Sequence, residues 1–164
     1  MNLEFNIAVH VLSFLTKHKN EKFNSKELAE LTCLNPVQLR RVVANLSDQQ
    51  LITTVRGKDG GYKANQYTST VNLAELYQQF VLARDNNQRV YTGDRNSHCD
   101  ISKHIAQIMA RYRDEEIQLI LNFYRNKTIQ DVLKDILQEV NQIWHLMTLS
   151  SCLLYTSDAA DDLL

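Results

Sequence analysis

The feature that most constrains this chain is residues 24–63, NSKELAELTCLNPVQLRRVVANLSDQQLITTVRGKDGGYK, where a break at Asn35-Pro36 separates two short helical signals. Asn24 followed three residues later by Glu27 is a capping box, in which each residue satisfies a backbone amide of the other's turn. The helix it opens carries Leu28, Ala29 and Leu31 at helical spacing and ends near Thr32-Cys33-Leu34. Asn35 is a second N-cap, Pro36 suits the first helical position, and Gln38 can complete a second box. Beyond it, Leu51–Arg56 and Gly61–Tyr67 read as strands joined by Gly57-Lys58-Asp59-Gly60, a turn of the Asp-Gly kind.

The second helix divides into two faces. Val37, Val42, Val43 and Leu46 supply an apolar stripe expected to pack inward. Gln38, Arg40, Arg41 and Asn45 are left outside, and these residue types can make bidentate contacts to guanine and adenine edges in a major groove. Two arginines on a surface helix serve solubility equally well, so the helix alone does not decide. The hairpin adds Arg56, Lys58 and Lys63 at its tip, where a phosphate backbone would pass. Residues 33–63 hold five Lys or Arg against two Asp, a net of +3 in a chain whose formal charge is −1. Uneven distribution carries more meaning than the total. The expectation is a winged helix-turn-helix, mainly α with a small two-stranded β wing. Gln38, Arg40 and Arg41 face bases or phosphates, and Arg56, Gly57, Lys58, Gly60, Gly61, Tyr62 and Lys63 bring the wing to phosphates or the adjoining minor groove.

The run RRVVANLSDQQLITTVRGKDGGYKAN resembles the signature of the Rrf2 family of bacterial transcription regulators. That family's wing reads R-G-x-x-G-G-Y, and Arg56, Gly57, Gly60, Gly61 and Tyr62 occupy those places. The opening FNIAVHVLSFL and the later TIQDVLKDI are also similar, so the resemblance spans about residues 3–140. It implies a homodimer that binds double-stranded DNA at a palindromic operator and represses transcription.

Length permits one globular unit with appendages: a DNA-binding domain over 1–70, a linking helix and mobile loop over 71–97, and dimerisation and C-terminal helices over 98–150. Cys152–Asp162, CLLYTSDAADD, resembles the translation of a sequencing-library transposon adapter, the alternative being a genuine acidic tail. Residues 152–164 are therefore set apart, which leaves 18 basic against 16 acidic residues. No apolar run approaches the roughly eighteen residues of a membrane span. Glu4 and Asn6 interrupt the first apolar run, so no signal peptide is read, and a cytoplasmic protein without membrane partners is expected.

Residues 3–18 form a helix that is apolar on nearly every side and therefore buried between neighbours. His10 interrupts it and reads as a buried, hydrogen-bonded histidine. Asn72, with Glu75 three residues on, opens another helix carrying Leu73, Leu76, Tyr77 and Phe80, and the polar stretch Asp85–Ser97 reads as a loop. From about His98 to Arg125, Ile101, Ile105, Ile108 and Tyr112 follow 4-3-4 spacing, continued by Ile117, Ile120, Leu121 and Tyr124. Such a helix has more apolar surface than a small domain can cover, and a two-fold dimer through Ile101, Ile105, Ile108, Tyr112 and Ile120 is expected. Thr128 with Asp131 caps the last helix, whose stripe runs Ile129, Val132, Leu133, Ile136, Leu137 and Val140.

The sensing chemistry centres on Cys99. Iron–sulphur members of the Rrf2 family carry three cysteines in the region corresponding to residues 90–110, and this chain has one. Thiolates hold such clusters, so no cofactor or metal is expected. Ser97 and Asp100 are read as a cap that places Cys99 in a first helical turn, where the helix dipole and a protonated His98 favour the thiolate and Asp100 opposes it. Redox or thiol-modifying stress acting at Cys99 is the leading reading, and an inert thiol in a ligand- or partner-controlled regulator is the alternative. Cys33, in the turn between the two helices, reads as a small buried hydrophobe. A winged-helix protein-interaction module is a further alternative. An enzyme lacks support: there is no phosphate loop, nucleophile elbow or complete metal-ligand motif.

Overall fold

The computed structural model describes residues 2–57, 60–84 and 91–155, with backbone alone at 84 and 144–155. Its elements in chain order are helices α1 (Leu3–Lys17), α2 (Ser25–Thr32) and α3 (Pro36–Asp48), strands β1 (Thr53–Val55) and β2 (Gly61–Lys63), and helices α4 (Leu73–Phe80), α5 (Asp100–Arg125) and α6 (Ile129–Tyr155). Among the described residues no helix is long and apolar enough to cross a membrane.

α1 begins at Asn2, whose side chain accepts from the amides of Glu4 (2.9 Å) and Phe5 (3.2 Å). Phe5, Ile7, Ala8, Val11, Leu12 and Leu15 are buried because α3, α4 and α6 all pack around this helix. His10 departs from expectation. It stands exposed on the polar back of α1 with Asn6 and Lys17, since the buried residues share the opposite arc.

The Asn24–Glu27 capping box forms in full, with the Asn24 amide donating to Glu27 Oε2 at 2.8 Å. α2 stops in a Schellman motif: Cys33 N–H reaches the Glu30 carbonyl (3.3 Å) and Leu34 N–H the Ala29 carbonyl (3.0 Å). Cys33 takes the left-handed position of that motif, at φ 55°, and its side chain is exposed rather than buried. Asn35 then caps α3 by accepting from Val37 and Gln38. Within α3 the inward face is Leu39, Val42, Val43 and Leu46. Val37, expected inside, is 72% exposed, because Pro36 starts the helix in a phase that turns its first residues outward. α3 ends in a second Schellman motif, with Gln50 N–H on Ser47 (2.9 Å), Leu51 N–H on Leu46 (3.0 Å), and Gln50 at φ 59°.

The wing is shorter than its sequence suggests. Leu51 is committed to that motif, and residues after Lys63 leave the ladder for a local knot. In the knot, buried Thr68 donates to the Leu51 carbonyl (2.7 Å) and accepts from Asn65 N–H (2.8 Å), while Asn65 Nδ2 donates to the Gln50 carbonyl (2.8 Å). Thr53 pairs with Lys63, Thr54 with Tyr62 and Val55 with Gly61, all antiparallel. Phe23 adds a one-residue third rung, exchanging hydrogen bonds of 3.0 and 2.8 Å with Tyr62. Gly61 faces the Phe23 carbonyl so closely that a Cβ would lie 2.6 Å from its oxygen, which is why glycine is needed there.

One side chain joins α4 to the distal helices. Asn72 Oδ1 caps α4 through Ala74 N–H (2.8 Å), while its amide donates to the Arg125 carbonyl at the end of α5. Leu73 N–H to Lys127 (2.9 Å) and Ile129 N–H to Val71 (3.0 Å) complete the seam. Thr128 and Asp131 form a capping box on α6, and the two hydrogen bonds from Thr128 hold the Asp131 carboxyl below the usual carboxylate range, with Lys134 and Lys127 adding to the effect. α5 starts at Asp100, not His98, so Cys99 is its N-cap residue.

Two stability measurements follow from these termini. Gln50→Gly removes a side chain from a left-handed position and is expected to raise unfolding free energy by about 1 kcal/mol in denaturant titration. Asp131→Asn is expected to destabilise at neutral pH, by a difference that stays flat down to the ordinary carboxylate value of 3.8 and shrinks as pH falls through the lower folded value. Thermal melts across that range check the sign.

Candidate nucleic-acid interface

The outward face of α3 follows from its inward one. At about 100° per residue, Val37, Arg41 and Ala44 stand opposite Leu39 and Leu46, with Arg40 and Gln38 on the two flanks. Gln38, Arg40 and Arg41 are all exposed. On one flank Arg40 borders an open recess formed with Lys26, Glu30 and Cys33. On the other, Gln38 and Arg41 border a recess lined by Asn2, Leu3 and Glu4 from α1. Arg41 forms an ion pair across that recess with Glu4, whose side chain is only 18% exposed against 70% for Arg41.

Two members of this face were not foreseen. Glu4 carries no local signal, since it reaches Arg41 only through the packing of α1 against α3. Val37, whose spacing predicts a core position, presents an apolar tip at the middle of the face, the kind of group that contacts a thymine methyl.

The wing stands beside α3 and is braced to it by a hydrogen bond between Ser47 Oγ and Thr54 Oγ1 (2.6 Å). Arg56 and Lys63 are exposed, Gly57 is exposed at φ 114°, and the Gly60 amide closes the turn on the Gly57 carbonyl at 3.0 Å. Lys58 lies outside the described residues. Gly61 is buried and Tyr62 half-buried, so these two shape and anchor the wing from below while Arg56 and Lys63 reach outward.

At the other end of the chain Cys99 is exposed and its amide donates to Ser97 Oγ at 3.1 Å. The preceding segment folds back on α5, with Asp94 N–H on the Ser102 carbonyl at 2.9 Å and Gly93 pressed against Ser102 and Ile105. Cys33 is the second exposed thiol, and it sits in the recess beside Arg40. Among the described residues no three His, Cys, Asp or Glu side chains converge as metal ligands. Around Cys99 the possible donors are one thiol and the exposed side chains of His98, Asp100 and His104, which do not fit an iron–sulphur centre held by thiolates.

α5 carries two apolar faces rather than one continuous seam. Ile101, Ile105, Ile108, Tyr112, Leu119 and Phe123 fall within about 60° of arc at helical pitch. Ile117, Leu121 and Tyr124 lie on the opposite side, where Leu121 is buried. Ile120 sits at the margin, about 100° from Ile101, in a recess with Tyr77 and Tyr124. Ile101 is 76% and Leu119 71% exposed, and Tyr112 and Phe123 are exposed with them, whereas Ile105 and Ile108 are half-buried, so four of the six residues of the first face stand open.

A glycine-tipped wing beside a helix whose outward face is polar and cationic defines a class, the winged helix-turn-helix transcription regulators that bind DNA. The Rrf2 family, described as iron-dependent transcriptional regulators, matches residues 1–135, and the chain belongs to it. It is 37% identical over 73 residues to the HTH-type transcriptional regulator NsrR of Oceanobacillus iheyensis, covering 44% of this chain and 50% of that protein. The NsrR of Bacillus licheniformis is 27% identical over 135 residues, covering 77% of this chain and 86% of that one. A crystal structure described as that of a transcriptional regulator from Lactobacillus plantarum superposes with a TM-score of 0.75 at 26% identity, covering 90% of this chain and 99% of that one. The family description invokes iron, but the described residues bring together no set of three ligating side chains that would hold it.

Proposed function

We propose that the protein is a homodimeric repressor that binds a palindromic operator through α3 and the wing, and that thiol chemistry at Cys99 controls it. The observation that carries the reading is the outward face of α3 with its flanking wing, which sets Gln38, Arg40, Arg41, Arg56 and Lys63 on exposed surface in a chain of this family. α3 enters the major groove. Arg56, Lys63 and the exposed glycine turn at Gly57 approach phosphates or the adjoining minor groove. Gly61 and Tyr62 contribute by fixing the wing to Phe23.

Dimerisation is supported by the exposed stripe of α5. Monomeric soluble domains rarely leave so long an apolar patch open to water, and burial between two copies is the ordinary outlet. Two α3 helices related by a two-fold axis then read half-sites about one or two helical turns apart. Replacing Tyr112 and Leu119 together by Asp is expected to convert a dimer in sedimentation equilibrium to a monomer. The same variant is expected to lose at least tenfold in operator affinity, since each half-site then binds alone.

Control by Cys99 is supported by its exposure at the N-terminus of a 26-residue helix. Peroxide oxidises the thiolate to sulfenic acid and is itself reduced to water, which puts a polar group at the joint between the folded-back segment and α5. The test is a mobility shift on the promoter of the protein's own gene, in a Cys152→Ser background, before and after mild peroxide. Binding lost on oxidation and retained in Cys99→Ser supports the switch. Oxidant sensitivity that persists in Cys99→Ser and vanishes in Cys33→Ser moves the switch to the helix-turn-helix. Indifference to oxidant leaves a regulator controlled by a ligand or partner, and absence of any salt-dependent DNA affinity favours a protein-interaction module.

A further inference from the structure

We propose that Glu4 is a positioning residue for base recognition: its carboxylate fixes the Arg41 guanidinium at the centre of the outward face of α3, so that Arg41 reads a guanine edge rather than a phosphate. This rests on the DNA-binding reading of α3 given above.

The pair is lopsided in a way that suits that role. Glu4 is recessed, 18% exposed, in the first turn of α1, where the N-terminal dipole of the helix stabilises an anion. Arg41 remains 70% exposed, so the carboxylate holds the guanidinium from behind and leaves its outer part toward solvent. A guanidinium has five N–H donors in a rigid planar fork. Those not used on Glu4 retain the geometry for guanine O6 and N7. Ordering the side chain before DNA arrives also removes part of the entropic cost of ordering it on binding.

Phosphate contact is the poorer use of such an arginine. A neutralised pair contributes little to counterion release, and a carboxylate beside a phosphate is repelled. Val37 and Gln38 line the same recess and stand beside Arg41, so the local surface offers an apolar tip, an amide and a fixed fork. That is a surface for base edges.

The test is selection from a randomised duplex pool with the full chain, comparing wild type, Glu4→Gln and Arg41→Lys at one salt concentration, with thermal melts to verify folding. Wild type is expected to enrich a motif containing a guanine whose replacement by 7-deazaguanine weakens binding about tenfold, as for one bidentate contact. Glu4→Gln is expected to lose about tenfold on the selected duplex, to keep or gain affinity for random duplex, and no longer to distinguish guanine from 7-deazaguanine. Arg41→Lys, which keeps the charge and loses the fork, is expected to behave likewise on the selected duplex. If Glu4→Gln keeps the wild-type ratio of selected to random affinity, the carboxylate does not position Arg41 for bases and the inference is overturned. If wild type enriches no sequence at all, the DNA-binding reading itself fails.

Discussion

The burial of α1 is the constraint on which the rest depends. Its apolar residues point to three neighbours at once, so the helix-turn-helix on one side and the α4–α6 scaffold on the other share a single core. Each fully buried Val, Leu, Ile or Phe in that helix contributes about 2 kcal/mol of transfer free energy. Neither half can close its core without α1. Phe5 shows the sharing in one residue, since its ring packs edge-on against Tyr77 of α4 and tilted against Tyr124 of α5, at centroid distances of 5.7 and 5.5 Å.

The face proposed to meet DNA is built on that core by short-range devices. Schellman motifs at Cys33 and Gln50 end the two recognition-motif helices in left-handed residues that are not glycine, a local strain tolerated because both following residues, Leu34 and Leu51, pack against the core. The wing hangs from Phe23 and Tyr62 below and from Ser47–Thr54 at the side. Its tip can therefore be polar and glycine-rich without the strands losing register.

Local chemistry was legible in the sequence and long-range geometry was not. The caps at Asn24, Asn35, Asn72 and Thr128 follow from residues within three positions of one another, and all four side chains accept from the first amides of their helices. The cap expected at Ser97 with Asp100 does not form, because α5 starts only at Asp100, with Cys99 at its N-cap. The wing turn was legible for the same reason. Errors arose where phase or a distant partner decides. Val37 turns outward and Leu39 takes the inward place because Pro36 fixes where the helix begins. Ile117, Leu121 and Tyr124 extend the spacing of the α5 seam in sequence, yet a drift in phase turns them to the opposite side of the helix, where Leu121 is buried and Tyr124 packs on Tyr77 of α4. Residue type alone predicts burial for His10 and Cys33, whereas the arc of α1 and the left-handed turn expose both. Glu4 lies far from Arg41 in sequence, and nothing local marks it.

The double use of Asn72 has a mechanical consequence. By capping α4 and donating to the Arg125 carbonyl, it pins the C-terminal end of α5 to the core, while the other end of that helix carries Cys99. A helix of 26 residues is about 39 Å long. Tilting such a rod by about 5° at its anchored end moves the free end by about 3 Å, on the scale of helix shifts at subunit interfaces. Read in the opposite direction, a displacement of a few ångströms at the Cys99 end returns to the anchored end as a small rotation with mechanical advantage. It is delivered beside Tyr77 and Phe5, on the packed wall that also supports α3.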